Sequence, residues 1–322
     1  MSGDITRRIQ IALGLGIDQL ERLVVRAPYA YKFYTIPKKS GGVREIAQPA
    51  KETKILQRWL IENVFCDLPV HNQATAYKTG ASIKLNAEAH AKSEFLSKFD
   101  FYSFFPSILE ADVAAHLREN LGEKLTLEEI KWIARVSCIR QRDSSQLGLS
   151  VGAPSSPILS NSIMFEFDCI MVDWCVSNNV IYTRYADDLV FSTNVRNKFK
   201  LIEPLVLEVL KGLRYPTLRL NAKKTIHVSK SSQRRVTGLV LNNDGIVSLG
   251  RERKRVISSK IHKFSLGILD ESMIYMLQGL LGLAVDVEPT FVNSMRLKYG
   301  DKLLDSILSK RMPQDDINSD GI

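Results

Sequence analysis

The sequence contains few cysteines, no long apolar run and no internal repeat, and each absence argues against a class of protein. Its four cysteines show neither Cys-x-x-Cys spacing nor histidines at metal-ligand intervals, which favours reduced, mostly buried thiols over a zinc module. No apolar stretch has transmembrane length, and the first residues lack the apolar core of a signal peptide. We therefore expect a cytoplasmic protein that makes no contact with a membrane.

Acidic residues are fewer than basic ones, and the basic excess is concentrated in two segments. The 322 residues include 44 Lys and Arg against 35 Asp and Glu, which gives a formal net charge of +9. Residues 223–235 contain five basic side chains and no acidic one, and residues 251–263 contain six against Glu252 alone. Such clusters are typical of a protein that binds a polyanion, although a basic helix face in water gives the same pattern.

The most informative motif is Tyr185-Ala186-Asp187-Asp188, which lies between two runs of β-branched and aromatic residues. These flanks predict two short strands joined by a tight turn. Adjacent carboxylates raise each other's pKa unless a cation neutralises them, and oxygen ligands favour a hard ion such as Mg²⁺ or Mn²⁺. An isolated Asp-Asp pair is more often a solvated turn, so the metal hypothesis needs support from elsewhere in the sequence.

A third carboxylate, Asp100, ends an extended segment that begins at Phe95. Phe95, Phe99 and Phe101 share one face of this segment, and Asp100 points to the other face. On its own, an aspartate at a strand end is more often a helix cap or a surface residue. Beside an acidic hairpin it meets the needs of two-metal phosphoryl transfer, in which the ions lie about 3.5–4 Å apart.

Together these motifs resemble the palm of reverse transcriptases, in which an aspartate with an aromatic residue five positions downstream precedes a Tyr-Ala-Asp-Asp hairpin. Three further stretches match that family in order: the fingers hairpin at 36–46, the loop and helix at 152–161, and the Leu-Asn-Ala-Lys-Lys-Thr motif at 220–225. The resemblance implies an RNA-directed DNA polymerase that adds deoxynucleoside triphosphates to a primer hydroxyl. It also implies an α+β, right-hand polymerase fold with fingers, a palm of antiparallel sheet and helices, and a mainly helical thumb.

The resemblance also assigns roles to individual residues. It implies that Asp100 and Asp187 bind two Mg²⁺ ions, or Mn²⁺ in their place, while Asp188 and the backbone carbonyl of Phe101 complete the metal site. It implies contacts with the incoming nucleotide through the five residues Lys39, Arg44, Phe105, Gly152 and Lys224. The ring of Phe105 would clash with a 2′-hydroxyl, and Lys224 would lie near the leaving pyrophosphate.

Two short stretches narrow the resemblance to retron reverse transcriptases, bacterial enzymes that copy part of a structured RNA into a DNA branched from it. These stretches are Asn86-Ala87-Glu88-Ala89-His90 and Val236-Thr237-Gly238. The implied partners are a cognate non-coding RNA (msr-msd), its DNA product and a separate effector protein, in anti-phage defence. The expected nucleic-acid contacts are Asn86, His90, Arg234, Arg235, Val236, Thr237, Gly238, Arg251, Arg253, Lys254, Arg255, Lys260 and Lys263.

One position departs from the family pattern. The loop of the family usually reads Leu-Pro-Gln-Gly, whereas this chain has Leu149-Ser150-Val151-Gly152. The side chain of Val151 cannot make the polar contact of glutamine, so the sequence leaves nucleotide discrimination at this position open.

The motifs and the hydrophobic spacing divide the chain into an N-terminal helical segment (1–27), fingers (28–95), palm (96–240, with a fingers insertion at about 110–150) and thumb (241–322). Thr126 and Glu129 form a capping box that predicts a helix start. One buried helix is expected over 158–174 and another helix over 291–309.

Three other functions remain open from the sequence. A group II intron-type enzyme is disfavoured by the short C-terminal region, in which we expect neither an endonuclease nor an RNase H domain, and by the 86–90 motif. A catalytically silent RNA-binding scaffold would not need an acidic cluster, so the presence of Asp100, Asp187 and Asp188 argues against it. A metal-dependent nuclease would degrade DNA without nucleoside triphosphates.

Overall fold

The computed structural model describes residues 5–37, 41–142 and 144–310. The helices are α1 (Ile5–Leu13), α2 (Ile17–Arg26), α3 (Lys51–Asn63), α4 (Ile83–His90), α5 (Phe104–Ser107), α6 (Glu110–Leu121), α7 (Leu127–Ser137), α8 (Ser156–Ile163), α9 (Phe165–Ser177), α10 (Ile202–Gly212), α11 (Arg251–Ser265), α12 (Glu271–Val287), α13 (Pro289–Tyr299) and α14 (Asp301–Ser309). The strands are β1 (Tyr31–Pro37), β2 (Val43–Pro49), β3 (Phe95–Asp100), β4 (Ile139–Arg140), β5 (Leu147–Gly148), β6 (Ile181–Tyr185), β7 (Asp188–Thr193), β8 (Ile226–Ser229), β9 (Arg234–Val236), β10 (Leu239–Leu241) and β11 (Val247–Ser248). Short 3-10 turns cover Ala27–Tyr29, Phe65–Asp67, Phe199–Leu201 and Ala222–Lys224. This mixture of helices and antiparallel sheets confirms the predicted α+β class.

The elements form two compact units. The first contains the described residues up to 81 together with 94–227, and the second contains 82–93 together with the described residues from 228. Helix α4 therefore belongs with the second unit, although it lies within the range predicted for the fingers. The predicted boundaries of fingers, palm and thumb stay a prediction.

The central sheet has the strand order β6-β7-β3-β8. Strand β7 pairs antiparallel with both β3 and β6, and aromatic side chains fill one buried face of the sheet. Phe99 and Phe191 meet edge to face at 5.8 Å, while Tyr182 stacks on Phe191 at 4.8 Å. This packing fixes the register, because a slip of one residue would turn these rings to the opposite face.

The fingers hairpin is present as predicted. Strands β1 and β2 pair antiparallel from Tyr31 opposite Pro49 to Pro37 opposite Val43. Most of β1 is exposed, whereas the end of β2 is buried at Ile46 and Ala47. The hairpin is therefore anchored to the first unit through the second half of β2.

Helix starts and stops agree with the sequence in part. The predicted capping box opens α7: the Glu129 N–H donates to Thr126 Oγ1 at 3.2 Å, and the Thr126 N–H donates to Glu129 Oε2 at 2.9 Å. Two predicted helices are divided. Met164 leaves the helical region between α8 and α9 (φ −82, ψ 5), and Gly300 takes a left-handed φ of 86° between α13 and α14.

The second unit combines a small sheet with a group of helices. Its sheet has the order β11-β10-β9, and α4 packs against these strands. The helices α11 to α14 share an apolar core that includes Ile257, Leu277, Leu281, Val292 and Leu304. Within the described ranges, none of the helices combines the length and the apolar character that crossing a bilayer demands.

Candidate active site

The acidic motif occupies the turn between β6 and β7. Tyr185 lies opposite Asp188 in the strand register, so Ala186 and Asp187 form the turn itself. Ala186 is buried and adopts a left-handed φ of 58°, which is uncommon for a residue other than glycine. The predicted hairpin is confirmed, and its turn has a backbone conformation that the surrounding structure must hold in place.

The strand register brings the third carboxylate to this turn. Asp100, the last residue of β3, lies directly opposite Asp188 on β7. Residues opposite each other in an antiparallel pair have Cβ atoms about 4.5–5.5 Å apart. The three aspartates that the sequence placed in separate motifs therefore lie together at one end of the central sheet.

The electrostatics of the cluster agree with this geometry. Burial raises the pKa of Asp187, and the negative charge of Asp100 raises it further, while Lys224 and Arg44 oppose the rise. Burial also raises the pKa of Asp188, against the lowering effect of Lys98. The cluster thus holds more negative charge than its surroundings favour, which is the condition under which carboxylates bind a cation.

Two lysines neutralise part of this charge. Lys224 Nζ donates to both carboxylate oxygens of Asp100 at 2.9 Å, and Lys98 Nζ lies 3.1 Å from Asp188 Oδ2. Among residues 5–37, 41–142 and 144–310, no three His, Cys, Asp or Glu side chains are arranged to share one metal ion. The donor set itself, three carboxylates, is one that hard divalent cations prefer.

The segment that carries Lys224 is tied to the end of β3 through its backbone. The Asn221 N–H donates to the Asp100 carbonyl at 2.7 Å, and the Tyr102 N–H donates to the Arg219 carbonyl at 2.9 Å. Phe101 and Leu220 form a β-bridge between these two contacts. Lys224 therefore reaches Asp100 from a segment of fixed position.

Of the predicted nucleotide contacts, Gly152 has the clearest local reason. Its φ is 122°, and an added Cβ would lie 2.8 Å from the Ala47 carbonyl oxygen and 2.9 Å from the Ile46 side chain. The Ala47 N–H also donates to the Val151 carbonyl at 2.8 Å. Glycine at this position thus allows the loop to approach β2 closely.

The other predicted nucleotide residues are placed as follows. Arg44 is exposed on β2, and its charge acts on Asp187. Phe105 is half-buried and packs against Phe104 at a ring distance of 5.4 Å. Lys39 lies outside the described residues. The apolar side chain of Val151 lines an open groove of about 860 Å³.

Sequence reasoning missed a group of residues behind the hairpin. Asp168 and Arg184 are fully buried and form an ion pair of 2.6 Å, and Asn161 bonds to the same guanidinium. The available signal was a charge in an apolar context: an arginine within a β-branched strand and an aspartate within an apolar helix. A buried charge requires a partner of opposite charge. The buried arginine therefore predicts a buried carboxylate nearby, and the buried aspartate predicts a buried cation.

Tyr77 was also missed. It adopts a left-handed φ of 61° while its side chain stays 50% exposed. Burial of its hydroxyl raises the pKa of Tyr77, and the charge of Asp187 raises it further. Nothing in the local sequence distinguishes this tyrosine from other surface tyrosines.

Comparison with known proteins identifies the family. A family model described as reverse transcriptase (RNA-dependent DNA polymerase) matches residues 36–241. The Escherichia coli retron Ec83 reverse transcriptase is 39% identical over 281 residues, which cover 86% of this chain and 89% of the relative. The chain belongs to the retron reverse transcriptases. It is accordingly an RNA-directed DNA polymerase, as the motifs predict.

Two further Escherichia coli relatives agree. The retron Ec73 reverse transcriptase is 34% identical, with 86% of this chain and 89% of the relative covered. The retron Ec86 reverse transcriptase is 30% identical, with 90% and 88% covered.

Solved structures show a more distant likeness. Telomerase from Candida albicans with a TWJ fragment of telomeric RNA has a TM-score of 0.47 at 13% identity, covering 86% of this chain and 59% of that chain. The foamy viral protease-reverse transcriptase with double-stranded DNA has a TM-score of 0.44 at 14% identity, covering 86% of this chain and 43% of that chain. At such scores the likeness carries no argument about function.

The retron-associated motifs lie in the second unit, and four of their predicted contact residues are buried. The four are Asn86, His90, Arg234 and Val236, each at most 1% exposed. The Arg234 guanidinium donates to the carbonyl oxygens of Ala91, Ser93 and Asn242. This burial corrects the expectation of direct nucleic-acid contact through these four side chains, and the Arg234 contacts join β9 to the end of α4.

The remaining predicted contact residues are at least partly accessible. Arg235, Gly238, Arg251, Arg255 and Lys263 are exposed. Thr237, Arg253, Lys254 and Lys260 are half-buried. Lys254 forms an ion pair of 2.7 Å with Glu288, and the Thr237 hydroxyl donates to the Ile83 carbonyl at 3.0 Å. Contact with nucleic acid through the accessible residues stays a prediction.

Proposed function

We propose that this reverse transcriptase copies part of a cognate structured RNA into single-stranded DNA that stays joined to the RNA, with a guanosine 2′-hydroxyl as primer. The identity to three retron reverse transcriptases and the two short motifs support this proposal. The proposal includes the msr-msd RNA and deoxynucleoside triphosphates as partners and the cytoplasm as the place of action. It also includes a role in anti-phage defence with a separate effector protein.

The observation that carries the chemistry is the register pair of Asp100 and Asp188, with Asp187 at the adjoining turn. We propose that Asp100 and Asp187 hold two Mg²⁺ ions, or Mn²⁺ in their place, and that Asp188 and the Phe101 carbonyl complete the site. When bound, such ions lower the pKa of the attacking hydroxyl and stabilise the leaving oxygen. The ammonium groups of Lys98 and Lys224 would yield their carboxylate contacts to the ions.

The residues around the cluster orient the substrates and neutralise developing charge. In each step, a bond forms between the hydroxyl oxygen and the α-phosphorus, the bond to pyrophosphate breaks, and the hydroxyl proton passes to water. The guanidinium of Arg44 offers a planar fork to the triphosphate, and Lys224 Nζ meets the negative charge of the leaving pyrophosphate. The ring of Phe105 packs under the sugar and excludes a 2′-hydroxyl. Positioning and electrostatics supply most of the catalysis of phosphoryl transfer.

Sequencing of the nucleic acid that co-purifies with the protein tests this proposal. We expect one RNA species with DNA joined at an internal guanosine, and a debranching enzyme should release that DNA. The variant Asp187→Asn, purified in the same way, should carry the RNA without the DNA.

Other outcomes separate the parts of the proposal. DNA extended only from a 3′-terminal primer would contradict the branched product and leave the polymerase activity standing. Failure of the wild-type protein to extend a primer on an RNA template with Mg²⁺ would contradict the proposed chemistry altogether.

A further inference from the structure

A fully buried ion pair lies behind the acidic hairpin. Asp168 on α9 and Arg184 on β6 are both 0% exposed. Arg184 donates from Nη2 to Asp168 Oδ2 at 2.6 Å and from Nε to Asp168 Oδ1 at 2.9 Å, and the Tyr182 hydroxyl donates to the same Oδ1 at 2.6 Å. The carboxylate therefore holds the guanidinium in one orientation by two parallel hydrogen bonds.

The other donors of Arg184 reach the turn and α8. Nη1 donates to the Ala186 carbonyl at 3.2 Å and to Asn161 Oδ1 at 3.0 Å, and Nη2 donates to the Asn161 carbonyl at 3.4 Å. These contacts and the two to Asp168 equal the five N–H donors that a guanidinium has. One of the five thus fixes the carbonyl of the left-handed residue that immediately precedes Asp187.

The backbone of Arg184 bonds to the segment 73–75. Its N–H donates to the Gln73 carbonyl at 2.8 Å, and its carbonyl accepts from the Thr75 N–H at 2.8 Å. Asn161 Nδ2 donates to the Ala76 carbonyl at 2.9 Å, next to Tyr77. Arg184 thereby connects the segment 73–75, the helices α8 and α9, and the turn residue Ala186.

We infer that Arg184 is a positioning residue for catalysis: its guanidinium, oriented by Asp168 and Asn161, fixes the Ala186 carbonyl and so sets the place of the Asp187 carboxylate. This inference rests on the proposed metal-holding role of Asp187. A buried ion pair is weak evidence for stability, because apolar residues of similar volume often replace one without loss. An apolar side chain could fill this space, but it could not hold a carbonyl oxygen.

The test compares two variants with the wild type. Arg184→Lys keeps the charge and loses the planar fork, whereas Arg184→Met combined with Asp168→Leu removes both charges and leaves none unpaired. We expect Mn²⁺ affinity, measured by electron paramagnetic resonance on the full chain, to fall about tenfold or more, as for residues that orient metal ligands. Amide hydrogen exchange of residues 185–188 should accelerate. In single-nucleotide addition kcat should fall, while KM for the nucleotide stays within about twofold.

Arg234→Met is the matched control, because it removes a second fully buried guanidinium that bonds to backbone carbonyls outside the hairpin. Its Mn²⁺ affinity and its exchange at 185–188 should equal those of the wild type. If the paired variant does not fold, Asn161→Ala decides, since it removes one of the two acceptors of Nη1, the one that helps to orient the guanidinium, and leaves the ion pair intact. For this variant we expect faster exchange at 185–188.

Unchanged Mn²⁺ affinity and unchanged exchange in a folded Arg184 variant, or unchanged exchange in Asn161→Ala, would overturn the inference. That result would leave the proposed function untouched as long as the wild type extends a primer. If the wild type extends nothing, the proposed function fails, and the exchange and Mn²⁺ measurements still decide whether Arg184 sets the turn.

Discussion

The acidic hairpin of the first unit and the basic helix α11 of the second unit carry opposite charge and are built in opposite ways. At the hairpin, three half-buried carboxylates lie close together: Asp100 and Asp188 come from two paired strands and Asp187 from the adjoining turn, and a lysine contacts each of the two strand residues. On α11, by contrast, Arg251, Arg255 and Lys263 project into solvent. One region holds its charges by strand register and neighbours, and the other displays them along an exposed helix face.

This difference teaches how each region should respond to change. Charges in a partly desolvated cluster interact strongly, so the loss of one changes the pKa and the orientation of the rest. Exposed cations act on a polyanion through long-range attraction that salt screens, and their contributions add approximately. A single substitution at the hairpin should therefore abolish DNA synthesis. On α11, each substitution should weaken RNA binding by a further, similar amount.

The largest effect should come from Asp187→Asn. Loss of this carboxylate removes a proposed ligand of both ions, worth several kcal/mol of transition-state stabilisation, so the rate of primer extension should fall by about a thousandfold or more. The thermal midpoint should not fall, because burial and Asp100 already disfavour the charged form of Asp187. Primer extension and thermal unfolding check the two expectations. The same change at exposed Asp173 is the control, and near wild-type synthesis by Asp187→Asn would refute the assigned role.

The next largest effect should come from Gly152→Ala. The added methyl would meet the Ala47 carbonyl at 2.8 Å in a backbone conformation that alanine rarely adopts. We expect the loop and β2 to separate, a stability loss of about 1–3 kcal/mol and a raised KM for the nucleotide. Chemical denaturation and single-nucleotide kinetics measure both. Gly212→Ala, at a glycine with no neighbour within 4 Å, should change neither. Equal behaviour of the two variants would show that the close approach at Gly152 is unimportant.

The acidic site could be predicted from the sequence because its parts are local. Tyr185 to Asp188 form one turn, and Asp100 ends one strand, so residue type and short-range pattern suffice to mark them. Strand pairing then brings them together by a register that the alternation of buried residues dictates. The capping box of α7 could be predicted for the same reason, because Thr126 and Glu129 are only three positions apart.

The features that could not be predicted depend on contacts distant in sequence. Arg234 looked like a surface cation, yet it is buried against the carbonyls of Ala91 and Ser93, more than 140 positions earlier. The break of a predicted helix at Met164 likewise has no local breaker residue such as proline or glycine. Burial of a polar residue depends on which segment packs over it, and the sequence of that residue's own element does not contain this information.

A smaller effect should follow from neutralising the exposed face of α11. The triple variant Arg251→Gln, Arg255→Gln and Lys263→Gln should bind RNA about tenfold more weakly at physiological salt. The slope of log affinity against log salt should decrease by about 0.7–0.9 for each phosphate that is no longer neutralised. Filter binding over a salt series measures both quantities.

A matched triple separates the site of the charge from the total charge. Arg22→Gln, Lys131→Gln and Lys211→Gln also remove three exposed positive charges, all in the first unit. An identical loss of affinity in both triples would mean that net charge, and not α11, attracts the RNA.

The smallest effect should appear in the pH dependence of stability, and of the two regions only the hairpin should contribute to it. Folded Asp187 holds its proton more tightly than the unfolded chain does, because burial and Asp100 raise its pKa above the ordinary value of 3.8. The native state therefore binds more protons between the two pKa values, and its free energy of unfolding falls as pH rises from the unfolded to the folded pKa. Asp187→Asn should remove this fall, so the difference in stability between variant and wild type should grow across that range and then level off.

Denaturation at a series of pH values measures this difference in stability, with Asp173→Asn as control. The α11 triple leaves Asp187 unchanged, so it should show the same pH dependence as the wild type. A constant difference between Asp187→Asn and the wild type would mean that the folded hairpin does not hold the Asp187 proton more tightly than the unfolded chain does.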